Sequence, residues 1–141
     1  MSRTSATLTH DAARGLAPLD ATTGTYGQLR YRRIKDGHHI IQDAAVRDLL
    51  GYSRSTAPAV RLVGPSTRSG MAHFAATEVQ RGLGPLARTY GQHRAVGYMA
   101  LRRGGFSPLE ARRLIEDVVD PFFHNLGVNR STVLRQVGGA R

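Results

Sequence analysis

Residues 37–42 read Gly-His-His-Ile-Ile-Gln, and this stretch determines how the rest of the chain is interpreted. Its β-branched isoleucines favour an extended backbone. Neighbouring side chains on an extended backbone point to opposite sides, so one histidine can bind a metal while the other faces a reacting water molecule. Because the pKa of a free histidine is about 6.5, the second histidine can accept a proton at neutral pH. The stretch therefore predicts a site for metal-assisted proton transfer.

The residues that follow predict a strand, a loop and a helix around this pair. We expect one or two helical turns over residues 43–50 and a polar loop over 51–57. A second strand over 58–63 and a glycine-bounded loop over 64–70 should follow. After Gly70 the apolar spacing changes from about 2 to about 3.6 residues, which predicts a helix that ends near Gly82. His73 lies in the first turn of that helix. A metal bound in a small cleft needs ligands from both sides of it, and His73 can supply the second one.

The flanks of this region complete the predicted organisation. The side-chain types over residues 27–34 alternate with a period of about two, which favours a strand with a basic face. A helix is expected over 92–103. A capping box at Ser107 with proline at the first helical position starts another helix, whose apolar face is formed by Leu109, Leu114, Ile115, Val118 and Val119. The expected divisions are a lead-in over 1–26, a domain over 27–127 with supporting helices at 92–127, and a tail over 128–141.

The composition restricts the class of protein. The 141 residues include no Cys, which excludes a disulfide scaffold, a thiol nucleophile and a Cys-type zinc finger. No apolar run approaches 20 residues, which excludes a transmembrane helix. The N-terminal 20 residues contain charges and no continuous apolar region, so they do not form a signal peptide.

The net charge indicates a polyanionic partner. The chain has 20 basic and 10 acidic residues, giving +10, and all basic residues except Lys35 are Arg. Codon bias can account for the excess of Arg over Lys, but it does not account for the net charge. Of this charge, +9 belongs to residues 1–109. The predicted nucleic-acid contacts are Arg30, Arg32, Arg33, Lys35, Arg54, Arg61, Arg68 and Arg81.

The doubled histidine, the two strands and the helix with His73 resemble the HNH/endonuclease VII superfamily, also called His-Me finger or ββα-metal nucleases, and most of all its bacterial polymorphic toxins. The resemblance covers about residues 38–81 and implies an α+β fold, with a small ββα-metal core at about 37–83 and additional C-terminal helices. Carried over by position, it implies that His38 and His73 bind a divalent metal and that His39 is the general base.

Two departures from the family pattern affect this interpretation. No Asn lies between His39 and His73, although an Asn there usually holds the loop and orients the base. Ser66 or Thr67 is the expected substitute. Thr77 stands where some members have a second helix histidine. The metal would then have two protein ligands besides water and phosphate, which favours Mg²⁺ or Mn²⁺, with Zn²⁺ or Ni²⁺ as alternatives. His10, His93 and His124 are given no role.

The expected function is metal-dependent hydrolysis of phosphodiester bonds, in DNA rather than RNA and with low sequence specificity. The toxin resemblance implies delivery into a target cell by a carrier system, action in the target cytoplasm without membrane association, and an acidic immunity protein that protects the producer. Two alternatives remain: a metal-independent ribonuclease toxin, and a non-catalytic basic module that binds nucleic acid.

Overall fold

The structure is a computed structural model that describes residues 23–31, 37–62, 64, 66, 67 and 69–138. In chain order its strands and α-helices are β1 (Thr23–Thr25), α1 (Tyr26–Tyr31), β2 (Gly37–His39), α2 (Asp43–Val46), β3 (Pro58–Arg61), α3 (Ala72–Leu83), α4 (Tyr90–Arg103), α5 (Pro108–Arg113) and α6 (Asp120–His124). A 3₁₀ turn (Gly84–Leu86) follows α3, and a π-helical stretch (Leu114–Val119) joins α5 to α6. The predicted α+β class is confirmed.

The described strands form one small antiparallel sheet with the order β1-β3-β2. In the β2–β3 pair His38 is opposite Val60 and His39 is opposite Ala59, and in the β1–β3 pair Val60 is opposite Thr23. The central strand β3 is buried over its first three residues because it has a neighbour on each side. The sheet, the loop after β3 and α3 follow one another as the predicted ββα order requires.

The N-terminal flank differs from the prediction. Thr23–Thr25, expected within the lead-in, forms β1, and residues 26–31, expected largely as a strand, form α1. A reciprocal capping box starts this helix: the backbone N–H of Gln28 donates to Thr25 Oγ1, and the backbone N–H of Thr25 donates to Gln28 Oε1, each at 3.0 Å. Leu29 of α1 is completely buried. Residues 32–34 of the predicted strand lie outside the described residues.

The helices that follow the sheet begin at clear capping signals. Capping boxes begin α4 at Thr89 and α5 at Ser107, the second as expected from the sequence. On α4, Gly97 lies so close to the end of β2 that a Cβ there would be 2.8 Å from the carbonyl oxygen of Ile40. The predicted apolar face after Ser107 is buried at four of its five positions, but Leu109 is 40% exposed because it lies in the first helical turn, on the outer surface.

The C-terminal residues are more ordered than the predicted tail. Val128, Leu134 and Val137 are buried in the core, and the backbone N–H of Leu134 donates to the carbonyl of Arg88 at 2.8 Å. Three apolar side chains at irregular spacing fit neither a helix nor a strand pattern, so their burial depends on tertiary contacts. Across the described part of the chain, no helix is both long and apolar enough to cross a membrane.

Candidate active site

Two elements bring three histidines to one place. His38 and His39 are adjacent on β2, and His73 lies in the first turn of α3. The ring centroids of His38 and His73 are 5.3 Å apart, with the ring planes at 87°. His38 and His73 are both buried, whereas His39 is half-buried. The alternation of the strand thus separates the two neighbouring histidines, with His38 on the side of α3.

His38 presents an uncharged ring whose Nε2 is unpartnered in the part of the chain that the structure describes. Its side chain is 5% exposed, and its Nε2 has no hydrogen-bond partner among the residues that the structure describes. Burial, reinforced by the charges of His73 and His39, lowers the pKa of His38 to about 3, so the ring is neutral at physiological pH. A buried polar atom without a partner costs free energy unless a ligand satisfies it. A neutral imidazole is the form that binds metals.

His73 has its tautomer fixed by the loop that precedes α3. Its Nδ1 is 3.1 Å from the carbonyl oxygen of Gly64. A carbonyl can only accept, so Nδ1 carries the proton and Nε2 keeps its lone pair. Gly64 has φ +81°, and a Cβ at this position would collide with the side chain of Met71. The glycine therefore allows the carbonyl to lie where it accepts from His73, an arrangement common for metal-binding histidines.

His39 is hydrogen-bonded through Nε2, whereas His73 is hydrogen-bonded through Nδ1. Its Nε2 is 3.1 Å from the backbone carbonyl oxygen of Arg54, so Nε2 donates and Nδ1 keeps the lone pair. The ring stacks on Tyr26 at 4.3 Å between centroids and 19° between planes. Burial lowers the pKa of His39, while the hydrogen bond to Arg54 and the charge of Asp43 act in the opposite direction. The net direction is a lowered pKa, and Nδ1 is the ring nitrogen left to accept a proton.

Gln80, on the same helix as His73, holds the backbone of β2. Its side chain is 7% exposed, and its Nε2 donates to the carbonyl oxygen of His39 at 3.3 Å. Because Gln80 lies seven residues after His73, both side chains are on one face of α3. Sequence reasoning missed a role for Gln80, although this spacing was a usable signal, and it missed Tyr26 altogether because the residue was assigned to the lead-in.

The predicted nucleic-acid contacts are distributed unevenly over the described residues. Arg54 and Arg61 have exposed side chains near the histidines. The backbone carbonyl of Arg54 accepts from His39, and Arg61 is opposite Gly37 in the sheet. Arg81 is exposed and forms an ion pair with Glu78 on α3. Arg30 belongs to α1. The other four contacts predicted on the sequence, Arg32, Arg33, Lys35 and Arg68, lie outside the described residues.

The loop residues proposed to replace the missing Asn form no hydrogen bond with the histidines among the described residues. Ser66 and Thr67 lie in a turn before α3, and within the described ranges neither forms a hydrogen bond with His38, His39 or His73. The backbone of His39 is bound by Gln80 instead. The expected support from Ser66 or Thr67 is therefore not seen, because the group that reaches β2 projects from α3 rather than from the loop.

The residues present suit a weakly held divalent metal. No group of three or more His, Cys, Asp or Glu residues that could hold a metal occurs in the part of the chain that the structure describes. The structure offers two imidazole nitrogens as metal ligands: the unpartnered Nε2 of buried His38, and the Nε2 of His73, whose Nδ1 is the atom bound to Gly64. Such a set fits the two-ligand site predicted from the sequence, completed by water and substrate oxygens.

The comparison with protein families agrees with this geometry. The chain matches a family model described as an HNH/Endo VII superfamily toxin with a SHH signature, over residues 32–124 of the 141. The matched segment contains one pair of adjacent histidines, His38 and His39, which Gly37 precedes. No curated protein and no solved structure matches the chain significantly. The chain therefore belongs to the HNH/Endo VII superfamily toxins with the SHH signature, and this membership implies that it is a nuclease toxin.

Proposed function

We propose that this protein is a metal-dependent endonuclease that hydrolyses phosphodiester bonds of DNA with low sequence specificity. The observation that carries the proposal is the division of roles between the adjacent histidines. His39 is fixed through Nε2 and has Nδ1 free, whereas His38 is buried beside His73 with an unpartnered nitrogen. One ring is arranged to accept a proton and the other two to donate lone pairs to a cation.

In the proposed reaction, Nδ1 of His39 takes a proton from a water molecule as that water attacks the phosphorus. The bond from phosphorus to the 3′-oxygen breaks, and the departing 3′-oxygen takes up a proton from solvent. The carbonyl of Arg54 keeps the Nε2 proton on the ring, so the lone pair stays at Nδ1. A divalent cation bound by His38 and His73, Mg²⁺ or Mn²⁺ in our proposal, would stabilise the charge that develops on the phosphate and on the leaving oxygen.

The charge of the chain supports a nucleic acid as substrate. The exposed side chains of Arg54 and Arg61 lie on the elements that carry or hold the histidine pair. The net charge of +10 favours binding to a polyanion. Phosphate contacts of this kind give affinity without sequence preference. Low sequence specificity follows from the same contacts.

We further propose that the toxin is delivered into a target cell by a carrier system and acts in the cytoplasm of that cell. The producing cell then needs an immunity protein. A partner that covers a basic surface is expected to be acidic, because complementary charge speeds association and selects the correct partner.

The test is a cleavage assay on plasmid DNA and on RNA, each with Mg²⁺, Mn²⁺, Zn²⁺ or Ni²⁺ and with EDTA. We expect DNA cleavage that requires a divalent metal and falls by about 10²- to 10⁴-fold in His39→Ala. DNA binding by His39→Ala should persist. His124→Ala, which removes an exposed histidine of α6, is the matched control and should cleave normally.

Each other outcome of the assay indicates a different function for this protein. RNA cleavage that persists in EDTA indicates a metal-independent ribonuclease. Binding of nucleic acid without cleavage under any condition indicates a non-catalytic basic module. Cleavage by His39→Ala at the wild-type rate refutes the assignment of the general base. In cells, expression of the wild type but not of His39→Ala should arrest growth, and co-expression of the cognate immunity protein should prevent the arrest.

A further inference from the structure

Tyr26 lies outside the segment that matches the toxin family but inside the candidate active site. It is the first residue of α1, and the family match begins at residue 32. The backbone N–H of Tyr26 donates to the carbonyl of Ala57 at 2.9 Å, and that of Gly27 donates to the carbonyl of Ser55 at 2.7 Å. A Cβ on Gly27 would be 2.9 Å from the same Ser55 oxygen. The start of α1 is thus fixed on the loop that carries Arg54.

Tyr26, Arg54 and His39 form a closed set of contacts. The Tyr26 ring stacks on the His39 ring at 4.3 Å. The Arg54 guanidinium carbon is 4.6 Å from the centroid of the Tyr26 ring, and Nη2 donates to the Tyr26 hydroxyl at 3.3 Å. The Arg54 carbonyl in turn accepts from Nε2 of His39. Each of the three residues therefore contacts the other two.

The two contacts on His39 constrain different motions of its ring. A hydrogen bond at Nε2 fixes one atom, but the ring can still turn about the axis through that atom, since the second side-chain torsion of histidine is broad. A flat ring stacked against the face removes this rotation. The hydrogen bond and the stacked ring together set the direction of the Nδ1 lone pair. This lone pair must meet a water molecule within about 3 Å for proton transfer.

We infer that Tyr26 is a positioning residue of the nuclease reaction, which orients His39 by stacking on it and holds Arg54 at the same time. The inference rests on the proposed nuclease function. This role extends the catalytic unit to residues that precede the family segment, because residues 23–31 supply both the edge strand β1 and the ring of Tyr26.

The experiment compares Tyr26→Leu with Tyr26→Phe and Tyr26→Trp in the plasmid cleavage assay. Loss of the flat ring in Tyr26→Leu should lower kcat by about 10- to 100-fold, because misplacement of a base affects the chemical step. Tyr26→Phe and Tyr26→Trp keep a stacking ring and should recover most of kcat. Tyr98→Leu is the matched control: this half-buried tyrosine of α4 packs against the core, and its replacement should lower the melting temperature without lowering kcat.

A double variant separates positioning from structural damage. If Tyr26 acts through His39, then adding Tyr26→Leu to His39→Ala should change the residual cleavage rate by less than about 2-fold. Where Tyr26→Leu does not fold, Tyr26→Met fills a similar volume without a flat ring and takes its place. Equal kcat in Tyr26→Leu and wild type overturns the inference, as does an additive loss in the double variant. A wild type that cleaves no nucleic acid refutes the proposed function instead, so the two failures are distinguishable.

Discussion

Replacement of Gly97 by Ala tests how closely α4 supports the strand that carries the histidines. A Cβ at this position would be 2.8 Å from the Ile40 carbonyl oxygen, whereas ordinary contacts begin at 3.4 Å. The helix or the strand end must therefore move by about 0.6 Å. Overpacking of a close contact costs about 1–3 kcal/mol, and the better helix propensity of Ala returns about 1 kcal/mol. The net expectation is a loss of up to about 2 kcal/mol.

The consequence for activity follows from the position of Ile40, which comes directly after His39. A displacement of a few tenths of an ångström at Ile40 is expected to lower kcat by about 10-fold, since about 1 Å of misplacement can cost about 100-fold. The measurements are the free energy of unfolding in urea and the initial rate of plasmid cleavage. We expect the melting temperature to fall by up to about 8 °C.

Gly82→Ala is the matched control for Gly97→Ala. Gly82 is also in a helix, but a Cβ there would meet nothing within 4 Å. This substitution should raise the free energy of unfolding by about 0.5–1 kcal/mol and leave cleavage unchanged. If both substitutions stabilise the protein to the same extent, helix propensity dominates and the close approach of Gly97 to Ile40 has no energetic significance. Normal activity of a destabilised Gly97→Ala protein would refute the link between α4 and His39.

The remaining predictions concern the support of the site and of the core. Replacing Gln80 by Leu removes the amide that binds the His39 carbonyl, so kcat should fall by about 10-fold and the free energy of unfolding by about 1 kcal/mol in urea titration. Asp120→Asn weakens the ion pair with Arg94, in which the side chain of Asp120 is 14% exposed and that of Arg94 is 17% exposed. We expect a loss of about 2–3 kcal/mol with kcat unchanged, and a loss of cleavage without a loss of stability would contradict a purely structural role. Burial lowers the pKa of His93, so at mildly acidic pH the unfolded chain binds a proton that the folded chain does not. The stability contributed by His93 is therefore present above about pH 6.5 and is lost as pH falls. In EDTA, the decrease in unfolding free energy from about pH 7 to about pH 5 should be smaller in His93→Gln, and an identical decrease would show that His93 does not titrate on unfolding.

Local signals made most of the helices predictable. The Ser107 capping box with its following proline specifies a helix start within four residues of sequence, and α5 begins there. The change of apolar spacing after Gly70 similarly predicts α3, whose observed bounds are Ala72–Leu83. Such signals depend on neighbouring residues alone and can therefore be read directly from the sequence.

The prediction for the N-terminal flank was wrong because two local signals competed. The alternation over residues 27–34 favoured a strand, while the Thr25 to Gln28 capping box, which was overlooked, favoured a helix. The hydrogen bonds of Tyr26 and Gly27 with the loop at 55–57 support the helix start. Those partners lie about 30 residues away, and a periodicity argument contains no information about them.

The positions of the three histidines followed from the strand, loop and helix order, but their environment did not. The tautomer of His39 depends on a carbonyl 15 residues further along the chain, and that of His73 on a carbonyl nine residues before it. Backbone carbonyls carry no residue identity, so no sequence motif marks them. The roles of His38, His39 and His73 remain predictions that the cleavage assays test.

The separation in sequence between His39 and its partners has a consequence for the order of events during synthesis. Gln80 is 41 residues beyond His39, and His73 is 35 beyond His38. A nascent chain that has left the ribosome only as far as β3 exposes both adjacent histidines but lacks α3. At that stage neither the hydrogen bond from Gln80 nor the second imidazole is present. The three imidazoles therefore share one place only after α3 has emerged and packed, so the assembly of the candidate site is a late event in the synthesis of the chain.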